Sequence, residues 1–147
     1  MALPLSAQVS LLPAEKAFRF SARAIDARSV EARFTIADGY YLYRDKIYFR
    51  VEPTSTRLSV PELPSGKIKE DEFFGRVETY RGSVVITLGL QGITPGQKLV
   101  LKAESQGCAD LGICYPPTVQ QVTLALPDAS SAGPSTPANI GKKAWFN

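Results

Sequence analysis

The chain has 147 residues, 44% of them hydrophobic and 21% charged, with 17 basic against 14 acidic side chains and a formal net charge of +3. This is the size and composition of one globular domain with a real core, and its mixed charges form no stripe dense enough for nucleic acid. Histidine is absent, which excludes Ser-His-Asp and Cys-His nucleophiles and imidazole metal sites, and two cysteines alone cannot close a structural zinc site.

At the start of the chain, Met1-Ala2-Leu3-Pro4 shows no charged segment followed by an apolar one and reads as a processed or engineered start. Residues 1–15 are assigned to an N-terminal extension. No apolar run approaches the roughly 20 residues that span a bilayer. From residue 16 the dominant period is two. Phe18, Phe20 and Ala22 alternate with Arg19, Ser21 and Arg23, and Val30, Ala32, Phe34 and Ile36 alternate with Glu31, Arg33 and Thr35. The same alternation recurs at Ile47, Phe49, Val51, at Val84, Ile86, Leu88, Leu90, at Leu99, Leu101, Ala103, and at Val122, Leu124, Leu126. Each run predicts a half-buried strand.

Between the runs lie Asp38-Gly39, Pro64-Ser65-Gly66, Arg81-Gly82 and Thr94-Pro95-Gly96, all with turn chemistry. No amphipathic run is long enough for a helix. Many short strands with Gly/Pro turns predict an all-β, immunoglobulin-like antiparallel β-sandwich over residues 16–126. Residues 127–147, rich in Ala, Ser and Pro at first and ending in Lys142-Lys143-Ala144-Trp145-Phe146-Asn147, read as a flexible tail or linker.

The two cysteines occupy Cys108-Ala-Asp-Leu-Gly-Ile-Cys114, at the arms of a predicted hairpin, with Gly107 and Gly112 available for tight backbone and Tyr115-Pro116-Pro117 following. They are far too close in sequence to link two sheets. Pro116 and Pro117 cannot donate ladder hydrogen bonds, so this end of the sheet is predicted to be an edge or a bulge. A bonded pair would suit an oxidising compartment, and so small a ring constrains the unfolded chain by only about 2 kcal/mol. Spacing leaves three states open: a brace, a bond that is made and broken, or free thiols. C-x5-C is not the C-x-x-C of thioredoxin-like sites.

The wider context narrows this. Gly-Cys-Ala-Asp-x-Gly-x-Cys-Tyr-Pro-Pro at 107–117, Asp38-Gly39-Tyr40-Tyr41-Leu42-Tyr43-Arg44, and Glu70-Asp71-Glu72-Phe73-Phe74-Gly75 followed by Glu78-Thr79-Tyr80-Arg81 occur in the order found in one family. Over about residues 18–126 the chain resembles the N-terminal periplasmic domain of the bacterial thiol:disulfide interchange protein DsbD.

That resemblance implies a protein-disulfide reductase domain of an inner-membrane protein, working in the periplasm without cofactor or metal. Electrons would arrive from the thioredoxin-like C-terminal domain of the same protein. They would leave to periplasmic disulfide isomerases and cytochrome c maturation thioredoxins through a reversible Cys108–Cys114 disulfide. Cys114 falls on the cysteine that forms the mixed disulfide, and Cys108 on the resolving thiol. Phe73 falls on the residue that shields the disulfide, in a cap loop of Asp71, Glu72, Phe73, Phe74 and Gly75. Tyr41 and Tyr43, with Asp71 and Glu72, fall on active-site neighbours, and Phe74 stands where the family often has Tyr. The membrane segment and the thioredoxin-like part are missing from this chain, which reads as an excised fragment or a stand-alone relative, monomeric and not itself membrane-spanning.

Elementary chemistry adds further expectations. Alternation puts Tyr41 and Tyr43 on one face of a strand and Tyr40 on the other, although all three could be ordinary sandwich residues. Glu70, Asp71, Glu72 and Gly75 favour an exposed, movable cap, against the alternative that Phe73 is simply core. Asp71, Glu72 and Asp110 should oppose thiolate formation, with Arg44 the only candidate in the motifs to offset them, so that docking would activate a sluggish reduced domain. Tyr115, beside Cys114, is expected to touch a partner. The competing function is an immunoglobulin-like binding or assembly module with a purely structural disulfide. Metal transfer ranks last, since the only methionine is Met1.

Overall fold

Each alternating run folds as a strand in the computed structural model of the chain, which describes residues 11–128. In chain order the strands are β1 (Phe18–Asp26), β2 (Ser29–Ile36), β3 (Tyr40–Tyr43), β4 (Tyr48–Glu52), β5 (Arg57–Leu58), β6 (Lys67–Asp71), β7 (Gly75–Tyr80), β8 (Ser83–Gln91), β9 (Lys98–Ser105), β10 (Gly107–Ala109), β11 (Ile113–Cys114) and β12 (Thr118–Ala125). The first run begins at Phe18 rather than at residue 16, because Ala14–Ala17 closes a single helical turn. No helix among the described residues is long and apolar enough to cross a membrane. The expected tail beyond residue 128, with Trp145, and the extension before residue 11 lie outside the described residues.

All strand pairs are antiparallel, in an immunoglobulin-like sandwich. One sheet has the order β1-β2-β8-β5 and another the order β12-β9-β4. The alternation decides which side chains meet between them. Phe18, Phe34, Ile86 and Leu88 from the first sheet share one buried cluster with Leu99, Leu101, Ala103 and Leu124 from the second. Each such side chain contributes roughly 1.5–3 kcal/mol by leaving water. The open side of β1 is closed by a side chain: the Gln120 amide donates to Phe18 O at 2.8 Å and accepts from Phe20 N at 3.2 Å.

A third sheet, β11-β10-β3-β7-β6, carries the cysteines. Three of its strands are continuations of the second sheet past a common break. β3 leads into β4 through a 3-10 turn at Arg44–Lys46, β9 into β10 across Gln106, and β11 into β12 across Tyr115, Pro116 and Pro117. The prolines therefore sit where the chain leaves one ladder for the next, as their missing N–H groups require. At this break Gly107 allows a close approach, because a Cβ there would meet Tyr41 O and lie 2.7 Å from the Phe18 ring. The cysteine hairpin is thus an outgrowth of the sandwich, with β11 as its edge strand.

Candidate functional site

Cys108 and Cys114 face each other as directly paired residues of β10 and β11, and their sulfurs are bonded, with Cα atoms 3.9 Å apart. The turn between them closes through Gly112 N–H donating to Ala109 O at 2.9 Å, with Gly112 at φ +99°, a left-handed conformation that favours glycine. The two sulfurs are not equivalent. Cys108 pairs on its other side with Tyr41 of β3 and is 0% exposed, whereas Cys114 on the sheet edge is half-buried.

Alternation along β3 sends Tyr40 into the main core and Tyr41 and Tyr43 into a small separate cluster with Cys108, as expected. Both hydroxyls of that pair converge on Asp71: Tyr41 donates to Oδ2 at 2.5 Å and Tyr43 at 2.7 Å. The other oxygen, Oδ1, accepts the N–H of Phe73 at 2.7 Å and of Phe74 at 2.9 Å. Asp71 is the last residue of β6 and is 5% exposed, so it is not part of an exposed loop. Burial would raise its carboxyl, but the four hydrogen bonds outweigh burial and hold it below the usual carboxylate value. Conversely, burial first and the bond to Asp71 second push the Tyr41 hydroxyl up to about 12, and the same causes push Tyr43 up further. The Tyr43 oxygen also lies 2.9 Å from Cys108 Sγ and 3.5 Å from Cys114 Sγ. It is the polar group that both sulfurs share.

The cap is a tight hairpin turn, residues 72–74 between β6 and β7, with Gly75 at φ +76°. Its shape is set by the Asp71 side chain bonding the N–H groups two and three residues on, an Asx-type turn. Phe74 lays its ring edge-to-face on Tyr43 at 4.9 Å, with Lys46 4.9 Å above it. Phe73 is 55% exposed and lines, with Glu72 and residues 109–112, a cleft of about 360 Å³ between cap and cysteine turn.

Asp71, Cys108 and Cys114 place one donor atom each within 4.8 Å of one another. Such a group could hold a soft cation only with the disulfide open and with Asp71 released from hydrogen bonds it already makes.

The sequence profile described as "Thiol:disulfide interchange protein DsbD, N-terminal" matches residues 8–126. The chain belongs to the DsbD N-terminal domain family. It is 42% identical over 138 residues to the DsbD protein of Ralstonia nicotianae, covering 93% of this chain and 22% of that protein. With the Escherichia coli DsbD the identity is 36% over 123 residues, covering 84% and 21%. The chain thus spans about a fifth of the length of the curated relatives it matches. The N-terminal domain of Neisseria meningitidis DsbD, solved in the reduced form, superposes with a TM-score of 0.70 at 35% identity, covering 84% of this chain and 94% of that one. A second structure, of the complex between the N-terminal domains of DsbD and PilB from the same organism, matches with a TM-score of 0.64 at 37% identity and 78% and 88% coverage.

Three expectations need correction. Tyr115 does not face the site. It follows Cys114 on the opposite side of the strand, packs edge-to-face on Phe18 at 5.4 Å, and donates its hydroxyl to Leu12 O at 2.5 Å. Arg44 does not face the sulfurs either, because its guanidinium donates to Leu63 O and Pro64 O and pairs with Glu78. Asp110 is not an uncompensated charge: Arg81 donates to both its oxygens, at 2.7 and 3.0 Å, and lowers its carboxyl. Arg81 and Lys69 also lie 5.2 and 5.1 Å from the Tyr41 ring centre. Arg81 ends the Glu78-Thr79-Tyr80-Arg81 motif, but nothing in its position along the chain tells that its partner is 29 residues away.

Proposed function

We propose that this domain, residues 16–126, relays electrons by thiol–disulfide exchange, with Cys114 as the sulfur that meets partners and Cys108 as the resolving thiol. The observation that carries this reading is the asymmetry of the pair, one cysteine only partly buried on a two-residue edge strand and the other fully buried behind it. Exchange requires in-line attack along the S–S axis, so the reachable sulfur takes the incoming thiolate. Phe73 and Phe74 then act as the lid over an otherwise open edge.

In the receiving step, a donor thiolate attacks Cys114 Sγ, the Cys108–Cys114 bond breaks, and Cys108 leaves with the electron pair. The donor's second thiolate then attacks the donor sulfur of that mixed disulfide, closes the donor's own disulfide and frees Cys114 as a thiolate. A disulfide sulfur carries no hydrogen, so in the oxidised domain the Tyr43 hydroxyl donates to Asp71, the stronger acceptor. As charge develops on Cys108, that hydroxyl, 2.9 Å away, turns to it and stabilises the leaving thiolate. In the delivering step, Cys114 attacks a partner's disulfide and Cys108 then displaces the reduced partner.

The donor in this reading is a thioredoxin-like domain of the same protein, and the acceptors are periplasmic disulfide isomerases and cytochrome c maturation thioredoxins. The complex of the meningococcal DsbD and PilB N-terminal domains supports docking of a partner domain at this fold. The test is the reduction potential of the pair in glutathione buffers. Exchange proteins lie roughly between −270 and −120 mV, and structural disulfides below about −300 mV. A value in the first range supports the relay, and Cys108→Ser should then trap partners on Cys114. A value in the second makes the disulfide a brace and the domain a binding module.

A further inference from the structure

Arg81 joins three elements that meet at the cysteine turn. From the turn between β7 and β8, its guanidinium forks onto both Asp110 oxygens, donates to Tyr40 O at 3.3 Å, and lies over the Tyr41 ring. An exposed ion pair by itself contributes little, but a fork with a carbonyl and a ring beneath it holds the guanidinium in one place.

The element being held is weak on its own. β11 has two residues, lies at the sheet edge, and pairs with β10. In the oxidised domain the covalent bond keeps Cys108 opposite Cys114. Reduction removes that bond. What then fixes the turn is Asp110 N–H on Gly39 O at 2.8 Å, Gly112 N–H on Ala109 O, Tyr115 N–H on Gly107 O at 2.9 Å, and the Arg81–Asp110 fork.

We infer that Arg81 is a positioning residue for exchange: through Asp110 it holds the cysteine turn, and with it the two sulfurs, in register once the disulfide is open. The inference rests on the exchange reading above. When a partner is bonded to Cys114, the Cys108 thiolate attacks Cys114 Sγ. The Cys108–Cys114 bond forms, the bond to the partner breaks, and the partner leaves as a thiolate that is protonated by water. A looser turn lowers the effective concentration of one sulfur at the other, which slows this step and weakens the disulfide relative to the dithiol.

The test compares the unsubstituted 147-residue chain with Arg81→Met, Arg81→Lys, Asp110→Ala and the Arg81→Met/Asp110→Ala double variant. Two quantities are read: the oxidation equilibrium constant in glutathione buffers, and the rate at which glutathione is expelled from its mixed disulfide with Cys114. Arg81→Met and Asp110→Ala should each lower both by about three- to tenfold, and the double variant by no more than either, because each removes the same fork. Arg81→Lys, which keeps the charge without the fork, should stay close to Arg81→Met. Unchanged constants in Asp110→Ala, or equal losses of melting temperature in both redox states with no change in either constant, would overturn the inference and leave the exchange reading standing. If the unsubstituted chain resists reduction in these buffers altogether, the exchange reading falls and this inference with it.

Discussion

Tyr43 donates its hydroxyl hydrogen to Asp71 across 2.7 Å while the same oxygen lies 2.9 Å from Cys108 Sγ. One side chain therefore links the residue that shapes the cap to the buried sulfur. Replacing Tyr43 by Phe removes that link while keeping the ring against Phe74. The expected result is a slower exchange, by up to about 10²-fold, the lower end of what one positioned donor to a developing anion contributes. Stopped-flow reduction of the oxidised domain by a dithiol reads this directly, and a rate equal to that of the unsubstituted chain would remove Tyr43 from the mechanism.

Asp71 should make stability depend on pH at the acid end. Its folded carboxyl titrates below the ordinary 3.8, so on acidification the unfolded chain binds this proton first. The contribution is complete above the unfolded value and is lost as pH falls through the folded one. Asp71→Asn should cost about 2–3 kcal/mol near neutrality, as hydrogen bonds to a charged acceptor do. Denaturant melts of both proteins from pH 7 to 2 should show that difference shrinking below about pH 4, the region of the ordinary carboxylate value.

The tyrosines predict the opposite behaviour in alkali. Tyr41, pushed from 10.0 up to about 12, stays neutral in the folded domain after its unfolded counterpart has ionised. The stability it contributes is present below about pH 10, its unfolded value, and is lost as pH rises through the folded one. Tyr41→Phe should flatten that alkaline limb in melts taken between pH 9 and 12. An identical limb in the variant would contradict the assignment.

The two cysteines should differ when each stands alone. In Cys108→Ser, the remaining Cys114 is only partly buried on the edge strand. In Cys114→Ser, the remaining Cys108 is fully buried. Alkylation by a bulky maleimide should be faster for Cys114 by at least about tenfold, since access as well as thiolate fraction controls such reactions. Equal rates would mean that the hairpin opens freely in the absence of the disulfide.

Gln120 offers a test of the fold that leaves the site alone. Its amide satisfies Phe18 O and Phe20 N along the open side of β1. Gln120→Leu strands both backbone groups in a partly buried place, for an expected loss of about 1–3 kcal/mol in denaturant unfolding. The reduction potential of the disulfide should not move.

Much of this domain was legible in the chain itself. Strict alternation at Val30, Ala32, Phe34, Ile36 and at Val84, Ile86, Leu88, Leu90 determined strands with one buried face, because a period of two leaves no other way to bury those side chains together. The same rule separated Tyr41 and Tyr43 from Tyr40, and the closeness of Cys108 and Cys114 placed both on the arms of one hairpin, while that they are bonded came from the structure. Relations between distant segments were decided only in three dimensions. Asp71 looks like one acid in a solvated run, but the fold places it beneath two hydroxyls from β3, 30 and 28 residues away. Asp110 looks like an uncompensated charge until the β7–β8 turn brings Arg81 to it, and Tyr115 looks like a neighbour of the sulfurs until the pleat turns it toward Phe18. Local pattern determines which face a side chain takes. Which partner waits on that face depends on how strands far apart in sequence are laid side by side.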